Sequence, residues 1–449
     1  MKSLRSWKRI TDGHHSQEVG WVSIRESTLV IAPKGGDWGG GHLQSAQNVG
    51  HPSQVGIIFP KFSVEFVCPA DLYRRPEGAD QLTKVKVLGL TMQIEFEEDA
   101  GNRLIEKATR AYSTRRVPRE AMTYVLPHFP PAPGDLALAR VESIGYHKRL
   151  HRPNGSKRNL FVGDLVIVAY ADRYAPNQFE AIVPSDLRVC HLAAAGGIAS
   201  MVISKHSRIR RSPTVLRPLG LLASGPEAPP LNVAGWAMNP PAAKDESDIP
   251  VLAVVGTSMD SGKTTTAAHL ARGLKNLGWR VGYAKATGTA ASGDPSLMID
   301  AGADPVLDFT DAGFASTYQL PPRTVEAIFR DLVGHLAQVP VDAILVEVAD
   351  GLFQSETSAL LESDTFRGLV DGVIFAAPES MGAVAGCGWL RERNLPLRAL
   401  AGVMASSPLQ VREVREQTGL PVYGLSDLLD PPTAAKIVEK RPMKESAAR

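Results

Sequence analysis

The segment Gly256-Thr257-Ser258-Met259-Asp260-Ser261-Gly262-Lys263-Thr264-Thr265 holds the densest chemistry in this 449-residue chain. It reads as a phosphate-binding loop of the G-x-x-x-x-G-K-[ST] class, placed between an apolar run and a helical pattern. Gly256 and Gly262 let the backbone turn so that its N–H groups face phosphate oxygens. Lys263 would neutralise the β- and γ-phosphates, the Thr264 hydroxyl would ligate Mg²⁺, and the helix N-terminus would add partial positive charge. Asp260, inside the loop, could orient water or polarise a nucleophile; an N-cap or a solvent-facing role is the alternative.

Such a loop needs a strand before it and a helix after it. Val251-Leu252-Ala253-Val254-Val255 is an uninterrupted apolar run, as in a strand buried on both faces, and Thr264 to Leu277 carries apolar residues at helical spacing. Further runs follow at Val281–Ala284, Ala343–Val346, Gly372–Ala376, Leu400–Met404 and Pro421–Gly424, with helical stretches such as Pro322–Gln338 and Leu409–Thr418 between them. This alternation predicts an α/β domain with a doubly wound, mostly parallel sheet over residues 250–432. Lys285 and Glu347 fall at the carboxyl ends of two of these strands, where open α/β sheets bind ligands. A lysine beside the γ-phosphate and an acid beside the metal are what phosphoryl chemistry needs. Asp294, Asp300 and Asp308 follow Lys285 as further metal-ligand candidates, and the sequence does not choose among them.

The loop Gly256 to Thr266, GTSMDSGKTTT, resembles those of dethiobiotin synthetases and of the molybdopterin-guanine dinucleotide biosynthesis B protein. It is also similar to the P-loop domain of certain bacterial D-amino-acid acetyltransferases. Thr257 stands near the place of the extra lysine of Min/ParA-type ATPases, which disfavours that subgroup. Tyr283-Ala284-Lys285-Ala286-Thr287-Gly288 is similar to the lysine-bearing segment of dethiobiotin synthetase. Val346-Glu347-Val348-Ala349-Asp350-Gly351-Leu352 is similar to its VEGAGG-type strand end. The resemblance covers about residues 250–430. It implies ATP and Mg²⁺, with Thr264 and Glu347 as metal ligands and Lys285 facing phosphate and substrate. The late strand ends Val403-Met404-Ala405-Ser406-Ser407, without the asparagine that reads the base in that family, so GTP stays open beside ATP.

The rest of the chain reads as β-rich. Residues 1–130 contain short runs such as Thr28–Ile31 and Val55–Phe59, and a Gly35–Gly41 loop with no Gly-Lys-Ser/Thr after it. Leu104–Arg119 is a basic helix or loop. Residues 131–223 carry strands at 135–144, 164–170 and 179–183, spaced as in a small β-barrel. Prolines 226, 229, 230, 240, 241 and 250 predict an extended, solvated linker over 224–249, and 433–449 is a polar tail.

Thirteen Lys/Arg stand against five Asp/Glu from Arg140 to Arg217, a local excess of 13 − 5 = +8, interleaved with Tyr146, Phe161, Tyr170, Tyr174 and Phe179. That pattern suits single-stranded nucleic acid, an anionic small molecule or an acidic neighbouring domain, or else a solvated barrel with aromatics in its core. The net charge of +2 excludes a chain-wide polyanion binder, and Cys68, Cys190 and Cys387 form no Cys-x-x-Cys pair. His147, His151, His191 and His206 match no standard zinc spacing. No apolar run reaches membrane-spanning length, and no hydrophobic core follows the basic start, so a cytoplasmic location is expected. Two functions follow as expectations. The first is an ATP-dependent ligase or kinase acting on an unknown small-molecule substrate, with a homodimer left open. The second is a nucleotide-switched nucleic-acid-binding protein using residues 140–217.

Overall fold

The computed structural model describes residues 102–241 and 248–439 in full; between residues 10 and 101 it describes the backbone of eight short strands and the start of a helix, Asp99–Lys107. Those strands pair as antiparallel hairpins, among them Val19–Arg25 with Thr28–Pro33 and Gln54–Phe59 with Phe62–Val67. The expected strand runs at Thr28 and Val55 lie in these two hairpins. The Gly35–Gly41 loop, Cys68 and residues 440–449 lie outside the described residues, as do residues 242–247. Residues 1–99 form one compact unit and 100–449 another.

Within the second unit, five strands close a barrel: β1 (Leu136–Ser143), β2 (Leu165–Tyr170), β3 (Cys190–Ala194), β4 (Ile198–Lys205) and β5 (Thr214–Ala223). Antiparallel pairings run β4-β3-β5-β1-β2, and a parallel pairing of Ala169 with Ile198 returns β2 to β4. Closure leaves this ring no open edge. Period-2 alternation sorts the β1 side chains. Ala137, Ala139 and Val141 fill the barrel with Val166, Val168, Tyr170, Leu192 and Leu216. Leu136 and Leu138 point the other way, into a core continuous with that of the α/β layer.

That layer is a six-stranded, all-parallel sheet of β6 (Val251–Gly256), β7 (Val281–Lys285), β8 (Val306–Asp308), β9 (Ala343–Glu347), β10 (Gly372–Ala376) and β11 (Leu397–Ala401). Its order is β8-β7-β9-β6-β10-β11. Every residue of β6 is buried. Leu252 and Val254 meet Leu270, Ala271 and Leu274 of α1 (Lys263–Asn276) on one face. Ala253 and Val255 share the other face with Val325, Phe329 and Leu332 of α3 (Pro322–Ala337), while α2 (Gly293–Ala301) follows β7. The fold is thus mixed α/β with a parallel sheet and a strand-rich N-terminal region. The run Pro421–Gly424, expected as a strand, makes a single parallel bridge, Val422 to Leu400, and joins no ladder.

Residues 224–241 differ from the solvated connection expected of a proline-rich stretch. Leu231, Trp236 and Met238 pack on the common core and Val233 is buried in it. Asn232 caps a short 3₁₀ turn, Val233–Trp236, and accepts from the Ala234 N–H at 3.0 Å. The Met238 N–H reaches the Asp311 carbonyl at 2.8 Å. The prolines hold the backbone extended, and the apolar residues between them anchor it.

Barrel and sheet also meet through charge. Arg115 donates to Asp308 Oδ1 (3.1 Å) and Asp311 Oδ2 (2.5 Å), Arg116 to Asp311 Oδ1 (3.3 Å), and the Tyr112 hydroxyl to Asp308 Oδ2 (2.7 Å). Elsewhere on the seam, a Cβ on Gly196 would stand 1.8 Å from the Ala290 carbonyl oxygen, so only glycine fits there. Among the described residues no helix is long and apolar enough to cross a membrane.

Candidate functional site

Five residues separate Gly256 from Gly262, one more than the G-x-x-x-x-G-K-[ST] pattern has between its glycines. Thr257 therefore stands where that pattern has its first glycine. It can do so because its backbone is not in the left-handed region, whereas Gly262 has φ +97°. Gly262 ends the loop and Lys263 opens α1. The Thr257 N–H is held by the Ala376 carbonyl of β10 at 3.1 Å, and the Ser261 carbonyl accepts from Val403 N–H at 3.2 Å.

Lys263 is buried, and its Nζ donates to the carbonyls of Ser258 (2.8 Å) and Asp350 (2.7 Å). Burial lowers its pKa from the ordinary lysine value, with Glu347 and Asp350 pulling the other way. Thr257 Oγ1, Ser261 Oγ and Thr266 Oγ1 are buried with no hydrogen-bond partner among the described residues. Buried hydroxyls are ordinarily paired, so three orphans clustered in the loop and first helical turn fit a ligand rich in acceptor oxygens. Met259 and Thr265 flank them, and Thr265 supplies its carbonyl to His269 at 2.8 Å. Asp260 is exposed with φ 66° and accepts from Asn177 Nδ2 at 2.7 Å, which ties the loop to the barrel.

Strand register brings the distant residues in. Glu347 lies opposite Val254 of β6 and opposite Lys285 of β7 at the carboxyl edge of the sheet. Glu347 Oε1 accepts from Thr264 Oγ1 (3.1 Å) and Lys285 Nζ (3.3 Å), and its Oε2 accepts from the Tyr283 hydroxyl (3.0 Å). Lys285 also forms an ion pair with Asp294, in the first turn of α2. Burial opposes the charge on Lys285, but Asp294 and Glu347 more than offset it and raise its pKa. Burial pushes the Asp294 carboxyl up, while Lys285, Lys263 and the Thr264 hydroxyl outweigh this and hold it below the usual range.

Of the three aspartates left open by the sequence, Asp294 is thus at the site. Asp308 is committed to Arg115 and Tyr112, and Asp300 is exposed near the end of α2. Asp350 also borders the site, with its pKa raised chiefly by burial. A hydroxyl and one or two carboxylates beside a phosphate cradle are a donor set that Mg²⁺ accepts. Thr264, Glu347 and Asp294 are the residues that would hold the ion.

Among known protein families, the P-loop domain described as a domain of unknown function, DUF1611_C, matches residues 240–317. No curated protein matches the chain. Among solved structures, the signal recognition particle receptor FtsY from Elizabethkingia anophelis in complex with GDP is similar at 18% identity and TM-score 0.31, over 44% of this chain and 67% of that one. The signal recognition particle 54 kDa protein from Aeropyrum pernix K1 in complex with GDP gives 18% and 0.31, over 46% of this chain and 49% of its own, so the chain spans about half of that relative. Chloroplast FtsY from Physcomitrella patens gives 18% and 0.30, over 46% and 70%. Likenesses of this extent fix neither subtype nor ligand. The matched segment, with the loop, sheet and helix around it, is a P-loop NTPase-like domain.

Proposed function

We propose that this chain is a Mg²⁺-dependent nucleoside-triphosphate enzyme, an ATP-dependent ligase or kinase of the dethiobiotin-synthetase-like type acting on a small molecule, with GTP as the alternative nucleotide. The observation that carries this reading is the connected network of Thr264, Glu347, Lys285 and Asp294 at the carboxyl edge of the sheet, with Lys263 held beside it on the Ser258 and Asp350 carbonyls. Lys263 and the loop N–H groups bind the triphosphate, and Thr264 and Glu347 orient the metal. Lys285, kept protonated by two acids, stabilises charge on the transferring phosphoryl group. Mg²⁺, when bound, supplies charge neutralisation on the phosphates. Asp260 is exposed within the loop, a place from which it would orient water.

Glu347→Gln is expected to lower Mg²⁺-dependent turnover at least tenfold while metal-free nucleotide binding stays within about twofold, because only the metal requires the carboxylate charge. Steady-state turnover set beside a calorimetric titration in EDTA checks it. Wild-type turnover in the variant would make Glu347 a structural acid.

A second reading, nucleotide-switched binding of single-stranded nucleic acid, draws on one observation. Lys148, Arg149, Arg152, Lys157, Lys205, Arg208, Arg210 and Arg211 are exposed, and none is in an ion pair among the described residues. Arg158, Arg188 and Arg217 of the same region are paired with Asp164, Asp186 and Glu142. Turnover of the full chain with and without single-stranded DNA or RNA separates the readings. A rise that fades between roughly 50 and 200 mM salt would favour this second one.

A further inference from the structure

One side chain of the barrel is tied to the helix that carries Asp294. A short hairpin, Arg149–His151 paired with Lys157–Asn159, stands against the first turn of α2. Alternation along its first strand sends Leu150 into the barrel core, so His151 faces the other way. His151 Nδ1 accepts from the Ser292 N–H at 3.1 Å, across 141 positions of sequence. Ser292 is buried at the N-cap of α2, but its own side chain caps nothing there. Its hydroxyl donates to the Gly155 carbonyl at 3.0 Å, so its 3.1 Å approach to Nδ1 leaves the N–H as the donor to that nitrogen. A glutamate or glutamine three residues after the N-cap ordinarily satisfies such an N–H, and this helix has Pro295 there. The imidazole takes that role from the neighbouring barrel.

Ser292 is two residues from Asp294, whose carboxylate pairs with Lys285 and accepts from the Thr264 hydroxyl. The barrel fixes the loop that leads into α2 at a second point, where Gly196 lies against the Ala290 carbonyl. Burial, and then Lys157, lower the His151 pKa, which favours the neutral ring that an acceptor Nδ1 requires. We propose that His151 is a positioning residue for the metal site: it fixes the start of α2 through Ser292 and so holds the Asp294 carboxylate beside Lys285, ready for Mg²⁺. This role rests on the reading of Asp294 as a residue that would hold the ion. It makes metal binding depend on a side chain outside the P-loop domain.

The test titrates the full chain by calorimetry with ATP, or with GTP if ATP does not bind, in EDTA and over a range of Mg²⁺ concentrations. Partners that orient a metal ligand ordinarily change metal affinity by about 10–100-fold, so His151→Leu should raise the Mg²⁺ concentration needed for half-maximal tightening by about tenfold or more. Metal-free binding should stay within about twofold, because the loop N–H groups are untouched. His151→Asn, whose side-chain oxygen stands near the place of Nδ1, should restore the Mg²⁺ dependence to within about threefold. In an Asp294→Asn background, His151→Leu should cost nothing further, since two substitutions that act through one group do not add. Circular dichroism checks folding. If the leucine variant does not fold, His151→Gln replaces it and should show the same loss, because its amide lies beyond the Nδ1 position. Wild-type Mg²⁺ dependence in His151→Leu, equal losses in the leucine and asparagine variants, or full additivity with Asp294→Asn would overturn the role of His151. Nucleotide binding by the unaltered chain that is indifferent to Mg²⁺ would defeat the metal reading itself, and the role of His151 with it.

Discussion

Replacing Lys263 with alanine is expected to weaken Mg-triphosphate binding at least a hundredfold while leaving the secondary structure intact. Charge-assisted hydrogen bonds contribute about 1.5–3 kcal/mol each, and an ammonium that serves two phosphate groups makes at least two of them. Since 1.4 kcal/mol is a factor of ten, the loss spans roughly two to four decades. The structural cost is small by comparison. The side chain gives up its contacts to the carbonyls of Ser258 and Asp350, and burial already disfavours its charge. Isothermal titration with ATP and with GTP, alongside circular dichroism, checks both halves and identifies the base. Unchanged affinity would end the phosphate-loop assignment.

The second large effect concerns the seam. Arg115→Leu should destabilise the fold by about 3–5 kcal/mol at neutral pH, because it leaves buried Asp308 with no cation among the described residues and buried Asp311 with Arg116 alone. In the native protein the Asp311 pKa is raised, first by burial and also by Asp308, although Arg115 opposes both. Without Arg115 it must rise further. An acid whose folded pKa is raised favours the native state below its unfolded pKa, and that advantage is lost as pH rises through the folded value. The deficit should therefore shrink as the pH falls toward about 4, the ordinary aspartate range. Urea denaturation at pH 7 and pH 4 measures it. Equal deficits at both would show that lost packing, not stranded charge, sets the cost. Adding Asp311→Leu to the variant should recover part of the loss if the two groups are coupled.

What the sequence made legible follows from the range of the forces involved. The loop, α1 and the parallel strands were readable because apolar periodicity and a local motif specify them within a dozen residues. Lys285 and Glu347 were reached through their strand ends and a family resemblance, and register then set them side by side. Asp294 could not be singled out from Asp300 and Asp308. Their local contexts are alike, and only the packing of α2 against α1 and β8 brings one of them to Lys285. The seam was hidden for the same reason: Arg115 and Asp308 are 193 positions apart. The proline-rich stretch misled because proline count dominated the reading, while Leu231, Val233, Trp236 and Met238 carry its packing. The run at Pro421 lacked ladder partners, which no local pattern reports. Arg173 is one of the thirteen Lys/Arg in the local charge excess, yet it is buried, donating to the Ala193 carbonyl and to Gln178.

The continuous core has a consequence for cooperativity. Leu136 and Leu138 of the barrel belong to the same buried cluster as Val255, Phe329 and Val346 of the sheet. Neither half of residues 100–449 can open without uncovering apolar surface of the other, so a scanning calorimeter should record one endotherm for this unit rather than two. A nucleotide bound at the loop at a hundred times its Kd would then add about 2.7 kcal/mol to the barrel as well as to the sheet. Two separate endotherms, only one of them shifted by nucleotide, would mean that the shared core does not couple the halves.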